Sequence, residues 1–447
     1  MSVELIEEAL RSRPQGEAEL AELAQAARNV SNDDLQYLIE SMPAKQAAVL
    51  YRVLDKDTAL NIFEGLPPAY QADLIRGLRS TDVAELIEDL DPDDRALVFD
   101  ELPAAVADRL MAGLSPSERH MTASVLGYPP EAIGRYMSPE VIGINQDFTV
   151  GEAMAYVRRR IDDPETIYLL PVVDSSRKLT GVIGLRRLLS EDDSVVIRDI
   201  ANQPVSASAI DDREETARRF LSEKLIAMPI VDREQRLVGI LTIDDVIDIV
   251  EEEDTEDTAR AGGSEPLAQS YLSASIFSIF RSRVVWLTML AVSAVLTVQV
   301  LNVFEDRLAQ LTALALFIPL LTGTGGNTGN QAATTVTRAL AMGEVRVRDM
   351  PKIIWREARV GFTLGLTLGV LGFLAASLAF DVGIGTVIGL TLLSICTMAA
   401  TIGGVMPLVA KKVGADPAVF SNPFISTFAD ATGLIIYFSI ATAILLS

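Results

Sequence analysis

The chain has 447 residues, 49% of them hydrophobic and 22% charged, and its formal net charge of −23 is unevenly placed: residues 1–265 carry a net −26, residues 266–447 a net +3. A single cysteine, Cys396, excludes an intrachain disulfide and a thiolate metal cluster, and a single histidine, His120, excludes a zinc site built on two histidines. An acidic half joined to a nearly uncharged apolar half excludes one globular enzyme; it describes a soluble module on a membrane domain, with no nucleic acid partner, because such a surface repels phosphates and attracts cations.

Met1–Leu10 is amphipathic and acidic and lacks the basic stretch of a cleavable signal peptide, so none is expected. Residues 1–130 then repeat themselves. Pro43, Pro67, Pro92 and Pro116 fall 24, 25 and 24 residues apart, each at a break between short leucine- and alanine-rich runs. Proline is tolerated in the first turn of a helix, and Asp91-Pro92 and Ser115-Pro116 read as N-cap plus first-turn pairs. Two short helices per period predict an all-α helical-repeat domain, more often a scaffold than a ligand site.

Residues 131–257 hold a duplication of another kind. Pro171-Val172-Val173-Asp174, followed by Leu179-Thr180-Gly181-Val182-Ile183, returns 58 residues later as Pro229-Ile230-Val231-Asp232, followed by Leu237-Val238-Gly239-Ile240-Leu241. Each copy predicts strand, turn, strand and helix, with an amphipathic helix ahead of it at Val150–Arg160 and at Asp212–Leu221. The pair resembles tandem CBS domains, an α/β fold that pairs internally and commonly dimerises. In such pairs a Gly-x-x-Thr-x-x-Asp run often holds the ribose and phosphate of an adenine nucleotide. Gly239, Thr242 and Asp245 fit it, so Thr242 and Asp245 are the nucleotide-binding candidates, with ATP as the ligand; the first copy offers Gly184 and Arg187 instead.

From Asp244 to Asp257 come nine acids in fourteen residues and no base. On one helix Asp245, Asp248 and Glu252 are neighbours, and like charges at that spacing destabilise by about 0.2–0.5 kcal/mol per pair. A divalent cation with oxygen ligands would offset the repulsion, and the lack of lysine partners argues against salt-bridge lacing. Gly262-Gly263-Ser264 with Pro266 marks a joint. Beyond it Leu267–Arg281 reads as an amphipathic helix, so residues 258–282 form the connection to the membrane.

Apolar stretches at Val284–Val303, Leu308–Leu321 continuing through small residues to Ala341, Val360–Phe380, Val382–Ala410 and Phe420–Leu446 predict five transmembrane helices over residues 283–447, at about 20 residues per span. Arg281 and Arg283 precede the first; Arg338, Arg346, Arg348, Lys352, Arg356 and Arg359 lie between the second and third; Lys411 and Lys412 separate the fourth and fifth. The opposite loops offer Arg307 alone, so the acidic half is expected in the cytosol and the C-terminus outside. Two segments break the apolar rule. In the first, Asn327, Gln331, Thr334 and Arg338 fall on one helical stripe, which suits either helix–helix contact or the lining of a substrate path. In the second, Asn422, Ser426 and Asp430 follow at steps of four, and Asp430 is the one acid of the last span. An intramembrane carboxylate is a functional-site candidate by default; a structural role would need a buried partner, for which Arg338 is the candidate.

The run Gly-Thr-Gly-Gly-Asn-Thr-Gly-Asn-Gln at 323–331, and Asp416-Pro417 followed by Ser421-Asn422-Pro423, Asp430 and Thr432-Gly433, stand behind a CBS pair and an acidic helical domain. Together they resemble MgtE, the bacterial magnesium channel family, over essentially the whole chain. The resemblance implies a homodimer in the plasma membrane with one pore on its two-fold axis. It implies a magnesium-selective channel that imports Mg2+ and is closed by intracellular Mg2+ bound at acidic interfaces of the cytosolic domains. Asp430, Asn422 and Asp416 would be its pore residues, supported by Asn327, Asn330 and Gln331. The implied sensing residues are Asp91 and Asp94 on the N-terminal domain, Asp212 and Glu214 at the second CBS copy, and Asp245, Asp248, Glu253, Glu256 and Asp257. Lys224 departs from the pattern, standing where the family can carry an acid. No catalytic residue is implied.

Other readings compete. A secondary divalent-cation transporter working by alternating access would want paired broken helices in matching halves, which five spans without evident symmetry do not offer. An intramembrane aspartyl protease needs a second acid for a dyad, and Asp381 lies at a loop edge. A membrane-anchored nucleotide sensor would leave Asp430 and the polar stripe without a role.

Overall fold

In the computed structural model, which describes residues 6–7, 9–10, 17–305, 312–414 and 422–445, two units separate: Met1–Glu253 with Leu267–Ala274, and Asp254–Pro266 with Ser275–Ser447. The first opens with a run of short helices: α1 (Glu17–Ala27), α2 (Asn32–Ser41), α3 (Ala44–Tyr51), α4 (Lys56–Glu64), α5 (Pro68–Gly77), α6 (Ser80–Asp89), α7 (Pro92–Glu101), α8 (Ala104–Gly113) and α9 (Pro116–Leu126). Their starts follow from local chemistry. The side chains of Ser31, Asp55 and Ser115 accept the N–H of Asp34, Thr58 and Glu118, and prolines stand in the first turn of α5, α7 and α9. Helices this short are unstable alone, and their apolar faces close on a shared core that includes Leu38, Leu50, Phe63, Leu74, Ile87 and Val98. Asp91 sits at the N-cap of α7 yet makes no side-chain cap bond, which leaves its carboxylate free for another use.

The duplication folds twice in the same way. In the first copy α10 (Val150–Arg159) starts with a capping box between Thr149 and Glu152, and β1 (Ile144–Asn145) lies parallel to β2 (Leu169–Val173), which pairs antiparallel with β3 (Leu179–Gly184) ahead of α11 (Leu185–Ser190) and α12 (Ile197–Ile200). In the second, Asp212 caps α13 (Arg213–Ser222), and β4 (Ala207–Ser208), β5 (Ala227–Val231) and β6 (Leu237–Thr242) repeat the order ahead of α14 (Ile243–Ala261). Even the irregularities recur. The register shifts at Val172/Val173 and again at Ile230/Val231, and Arg177 and Gln235 both take φ near +63° in turns where Asp174 and Asp232 accept two backbone N–H groups each. The two turns then pair with one another through Leu179 N–H to Gln235 O and Leu237 N–H to Arg177 O.

The second unit holds α15 (Ile276–Val303), α16 (Ile318–Ala341), α17 (Met350–Ala379), α18 (Val382–Val413) and α19 (Asn422–Leu445). Their contacts fix their directions. Trp286 meets Phe424 and Phe304 meets Phe438, so α15 and α19 run parallel. Gly325 faces Ala429 and Gly329 faces Ile425, so α16 and α19 run antiparallel; Gly325 against Ile395 and Gly329 against Ala399 make α16 and α18 parallel. Gly361, Gly365 and Gly369 form a seam on α17 on which α18 lies so closely that a Cβ at Gly361 would come within 2.6 Å of the Cys396 carbonyl oxygen. This is the alternation that five successive crossings of one layer require. Of the five, α15, α17, α18 and α19 are long and apolar enough to cross a membrane; α16 falls short because of its polar face.

The expected amphipathic helix over Leu267–Arg281 is corrected. Leu267–Ala274 runs through bends and turns, and helix begins at Ile276 behind Ser275, which caps it by accepting the Ser278 N–H. Pro266 and the serines at 270, 273 and 275 favour turns and caps over helix interior, and that local chemistry overrides the apolar spacing.

Candidate cation sites

In the first unit, acids from four places in the chain meet. Glu64 ends α4, Asp91 and Asp94 start α7, and Glu140 and Glu165 belong to the first CBS copy, ahead of β1 and between α10 and β2, where the Glu165 N–H donates to the Glu140 carbonyl at 2.8 Å. One carboxylate oxygen from each of Glu64, Asp91 and Asp94 lies within 4.8 Å of the others, and the same holds for Asp91, Glu140 and Glu165. Asp91, with no capping duty, belongs to both triads. Oxygens bound to one Mg2+ at about 2.1 Å stand at most about 4.2 Å apart, so a small closure would let either triad grip the ion.

The electrostatics point the same way. Burial, then the neighbouring Asp91 carboxylate, pushes Glu64 and Glu140 each up to about 7. Burial, then Asp245, raises Asp94 to about 8, and burial raises Asp245 itself to about 7. Asp91, Glu165 and Asp93 are also raised by burial. Asp93 is buried with Oδ1 lacking a hydrogen-bond partner among the described residues. Arg95 lies close enough to pull Asp91 partly down, but its guanidinium is committed to the Ile87 carbonyl, Thr122 and Glu118 at 2.7–2.9 Å. Half-buried acids whose desolvation and mutual repulsion raise their proton affinity are what a divalent cation would neutralise.

Three of the expected sensing residues, Asp91, Asp94 and Asp245, thus share one neighbourhood. Sequence reasoning missed Glu64, Glu140, Glu165 and Asp93, and found no base for the acidic run of α14. The structure supplies bases. Arg213, a buried residue of α13, pairs with Glu252 and Glu253 at 2.8 Å and with Glu131 at 3.3 Å, and sits over the Tyr136 ring. Glu256 pairs with Arg260, Glu214 with Arg218, and Asp212 accepts the Glu215 N–H. Asp257 also has a partner, and Asp248 is raised by burial and by Glu251. Thr242 donates from Oγ1 and from its N–H to Asp245 Oδ2, at 2.5 and 3.2 Å.

In the second unit Asn327, Gln331, Thr334 and Arg338 are all exposed along α16, while the opposite face packs as Gly325, Gly329, Ala332, Ala333 and Val336. Asn330 Nδ2 donates to Ser426 Oγ at 3.0 Å, and its Oδ1 is buried without a partner. Asp430 stands one helical turn beyond Ser426, half-buried, and no ion pair or hydrogen bond engages its carboxylate among the described residues, Arg338 among them. Asp381 is occupied as the N-cap of α18, accepting the Ile384 N–H at 3.0 Å, and so is no partner for a dyad. Asn422 starts α19, and Asp416 lies outside the described residues.

Comparison with known proteins bears on all three parts. Residues 318–440 match a family described as divalent cation transporter MgtE, residues 30–131 the MgtE intracellular N domain, and residues 133–194 and 197–252 the CBS domain. The chain is 38% identical to a magnesium transporter MgtE of Thermus thermophilus over 340 residues, 75% of each protein. It is 30% identical to one of Bacillus subtilis over 429 residues, covering 92% of this chain and 91% of that protein. Among solved structures, the cytosolic domain of a Mg2+ channel MgtE in complex with ATP aligns with a TM-score of 0.49 at 31% identity, covering 55% of this chain and 98% of that one.

Proposed function

Because the chain belongs to the MgtE family of divalent cation transporters, we propose that it imports Mg2+ through the plasma membrane as a homodimeric channel that intracellular Mg2+ closes. The observation that carries the pore assignment is Asp430, an intramembrane carboxylate without a partner among the described residues, on a helix packed against α16, whose exposed face is polar and unsuited to lipid. Mg2+ dehydrates reluctantly and favours one or two carboxylates plus retained water. Two copies would present two Asp430 carboxylates to one hydrated ion, with Asn422 and Asp416 at the mouth and Asn327, Asn330 and Gln331 lining the approach. Exposed apolar side chains favour a dimer through the CBS pair: Tyr168 and Ile226, and Leu189 and Ile247, stand 58 residues apart at matching places of the two copies and are 53–69% exposed.

Closure follows from the acidic neighbourhood. Without Mg2+ the carboxylates around Asp91 repel; with Mg2+ they are bridged, and the bridged arrangement is the closed one. Differential affinity for that arrangement is what lets the ion shift the equilibrium, and several weak sites add. Asp212, Glu214, Glu253, Glu256 and Asp257 would exchange their present partners for the ion, and Asp248 would join them. ATP would meet Thr242 and Asp245, so nucleotide and Mg2+ would share one carboxylate. The excess of bases on one side of the spans supports a cytosolic first unit and a C-terminus outside. The test is Asp430→Asn in full-length protein reconstituted into liposomes: Mg2+ flux should vanish while the purified protein keeps its size and helicity, and wild-type flux would refute the pore assignment.

A further inference from the structure

Trp286 lies two residues into the apolar stretch that opens at Val284 on α15, where a tryptophan ordinarily anchors at the lipid–water boundary. It does not do so here: it is 4% exposed, packed against protein. A buried indole N–H is a donor with no alternative in a dry setting and must find an acceptor. It finds Glu265, whose Oε1 accepts it at 2.8 Å. The Glu265 backbone N–H also donates to the Ser282 carbonyl at 2.9 Å, one turn earlier on α15. The stretch behind α14 is therefore held on α15 at two points by one residue. The other side of the indole meets Phe424 edge-on, with centroids 6.4 Å apart and planes at 67°. Phe424 belongs to the first turn of α19, two residues before Ser426 and six before Asp430.

Upstream, the connection is equally short. α14 closes through Gly263, whose φ of +71° suits glycine, with the Ser264 N–H donating to the Ala259 carbonyl at 3.0 Å, and Glu265 is the next residue. One continuous set of contacts thus runs from the end of the acidic helix, through Glu265 and Trp286, to the helix that bears the pore carboxylate.

We propose that Glu265 and Trp286 form a latch by which the end of α14 sets the position of α19, both acting as positioning residues of the transport path. The proposal rests on the reading of the chain as a Mg2+-closed channel. A carboxylate–indole bond is charge-assisted and directional, so it transmits a shift of the joint to the ring, and the ring is wedged against Phe424. Glu265→Ala removes the acceptor, Trp286→Phe removes the donor while keeping an aromatic face on Phe424, and Glu265→Gln keeps an acceptor oxygen.

The test uses full-length protein in liposomes with Mg2+ titrated on the cytosolic side. Glu265→Ala and Trp286→Phe should each move the half-inhibiting Mg2+ concentration by about fivefold or more, the double variant should move it no further, and Glu265→Gln should stay within about twofold of wild type. Unmoved midpoints, or single-variant shifts that multiply in the double variant, overturn the latch. A second readout does not involve flux. The chain has two tryptophans, so in Trp355→Phe protein the emission reports Trp286 alone. Added Mg2+ should change that emission, and Glu265→Ala should abolish the change. Flux inhibited by internal Mg2+ with invariant emission sinks the latch and spares the regulatory reading; flux indifferent to internal Mg2+ sinks both.

Discussion

Replacing one buried acid by its amide should stabilise this protein without Mg2+ and blunt its response to Mg2+, and Asp94→Asn is the sharpest case. Asp94 is pushed up to about 8 by burial and by the Asp245 and Asp91 carboxylates. At pH 7 the metal-free folded state therefore keeps its proton, whereas the unfolded chain has released it. Each tenfold change in proton affinity is worth ~1.4 kcal/mol, which bounds the folding cost at ~4 kcal/mol. Asp91, Asp94 and Asp245 share one repulsion, so a single substitution recovers about 1–3 kcal/mol of it. For a unit of this size that is a rise of about 3–10 °C in melting temperature. The sign with pH is fixed too. The folded-state pKa lies above the unfolded one, so the contribution is fully favourable below about pH 4 and is lost as pH climbs through about 7 to 8. Mg2+ at 100 times its dissociation constant should add ~2.7 kcal/mol to wild type and markedly less to the variant. Thermal melts of the full-length protein, with hydrogen exchange of residues 56–101 to locate the transition, measure both. A lower metal-free melting temperature for Asp94→Asn, or an undiminished Mg2+ shift, would refute the account.

Arg213→Ala should remove the buried cation that Glu131 and Glu252 share and lower stability by about 3 kcal/mol, read as a drop in melting temperature; an unchanged melt would show the pairing to be idle. Gly365→Ala places a methyl 2.8 Å from the Leu393 backbone, so the α17–α18 pair must separate, at a cost of about 1–3 kcal/mol in detergent melts. Neutralising Glu253, Glu256 and Asp257 together should leave flux less inhibited by internal Mg2+, and intact inhibition would count against their sensing role.

What could be read from the residues was what local pattern encodes. The prolines announced the starts of α5, α7 and α9, and the 58-residue duplication announced both sheets, because β-branched runs around an Asx turn carry their fold within about a dozen residues. Four spans were legible from apolar length, at α15, α17, α18 and α19; the helix α16 was also expected, from its small residues, but its polar face keeps it below the apolarity of a span. The acidic triads were not legible beyond Asp91 and Asp94. Glu64, Glu140 and Glu165 come from separate elements, and no spacing announces their meeting. For the same reason α14 looked unpaired: Arg213 stands 39 residues before Glu252. The misjudged start of α15 is a local failure, where apolar periodicity competed with proline and serine chemistry and lost.

The hydrophilic face of α16 has a consequence for biogenesis. A segment with asparagine, glutamine, threonine and an arginine along one side gains little from leaving the translocon alone, since polar groups at mid-bilayer are costly. It must be retained until α18 and α19, whose glycine- and alanine-lined flanks receive it, have been synthesised. Assembly of this half is thus cooperative across more than a hundred residues of nascent chain, and a ribosome stalled after α16 should leave that segment extractable by alkali.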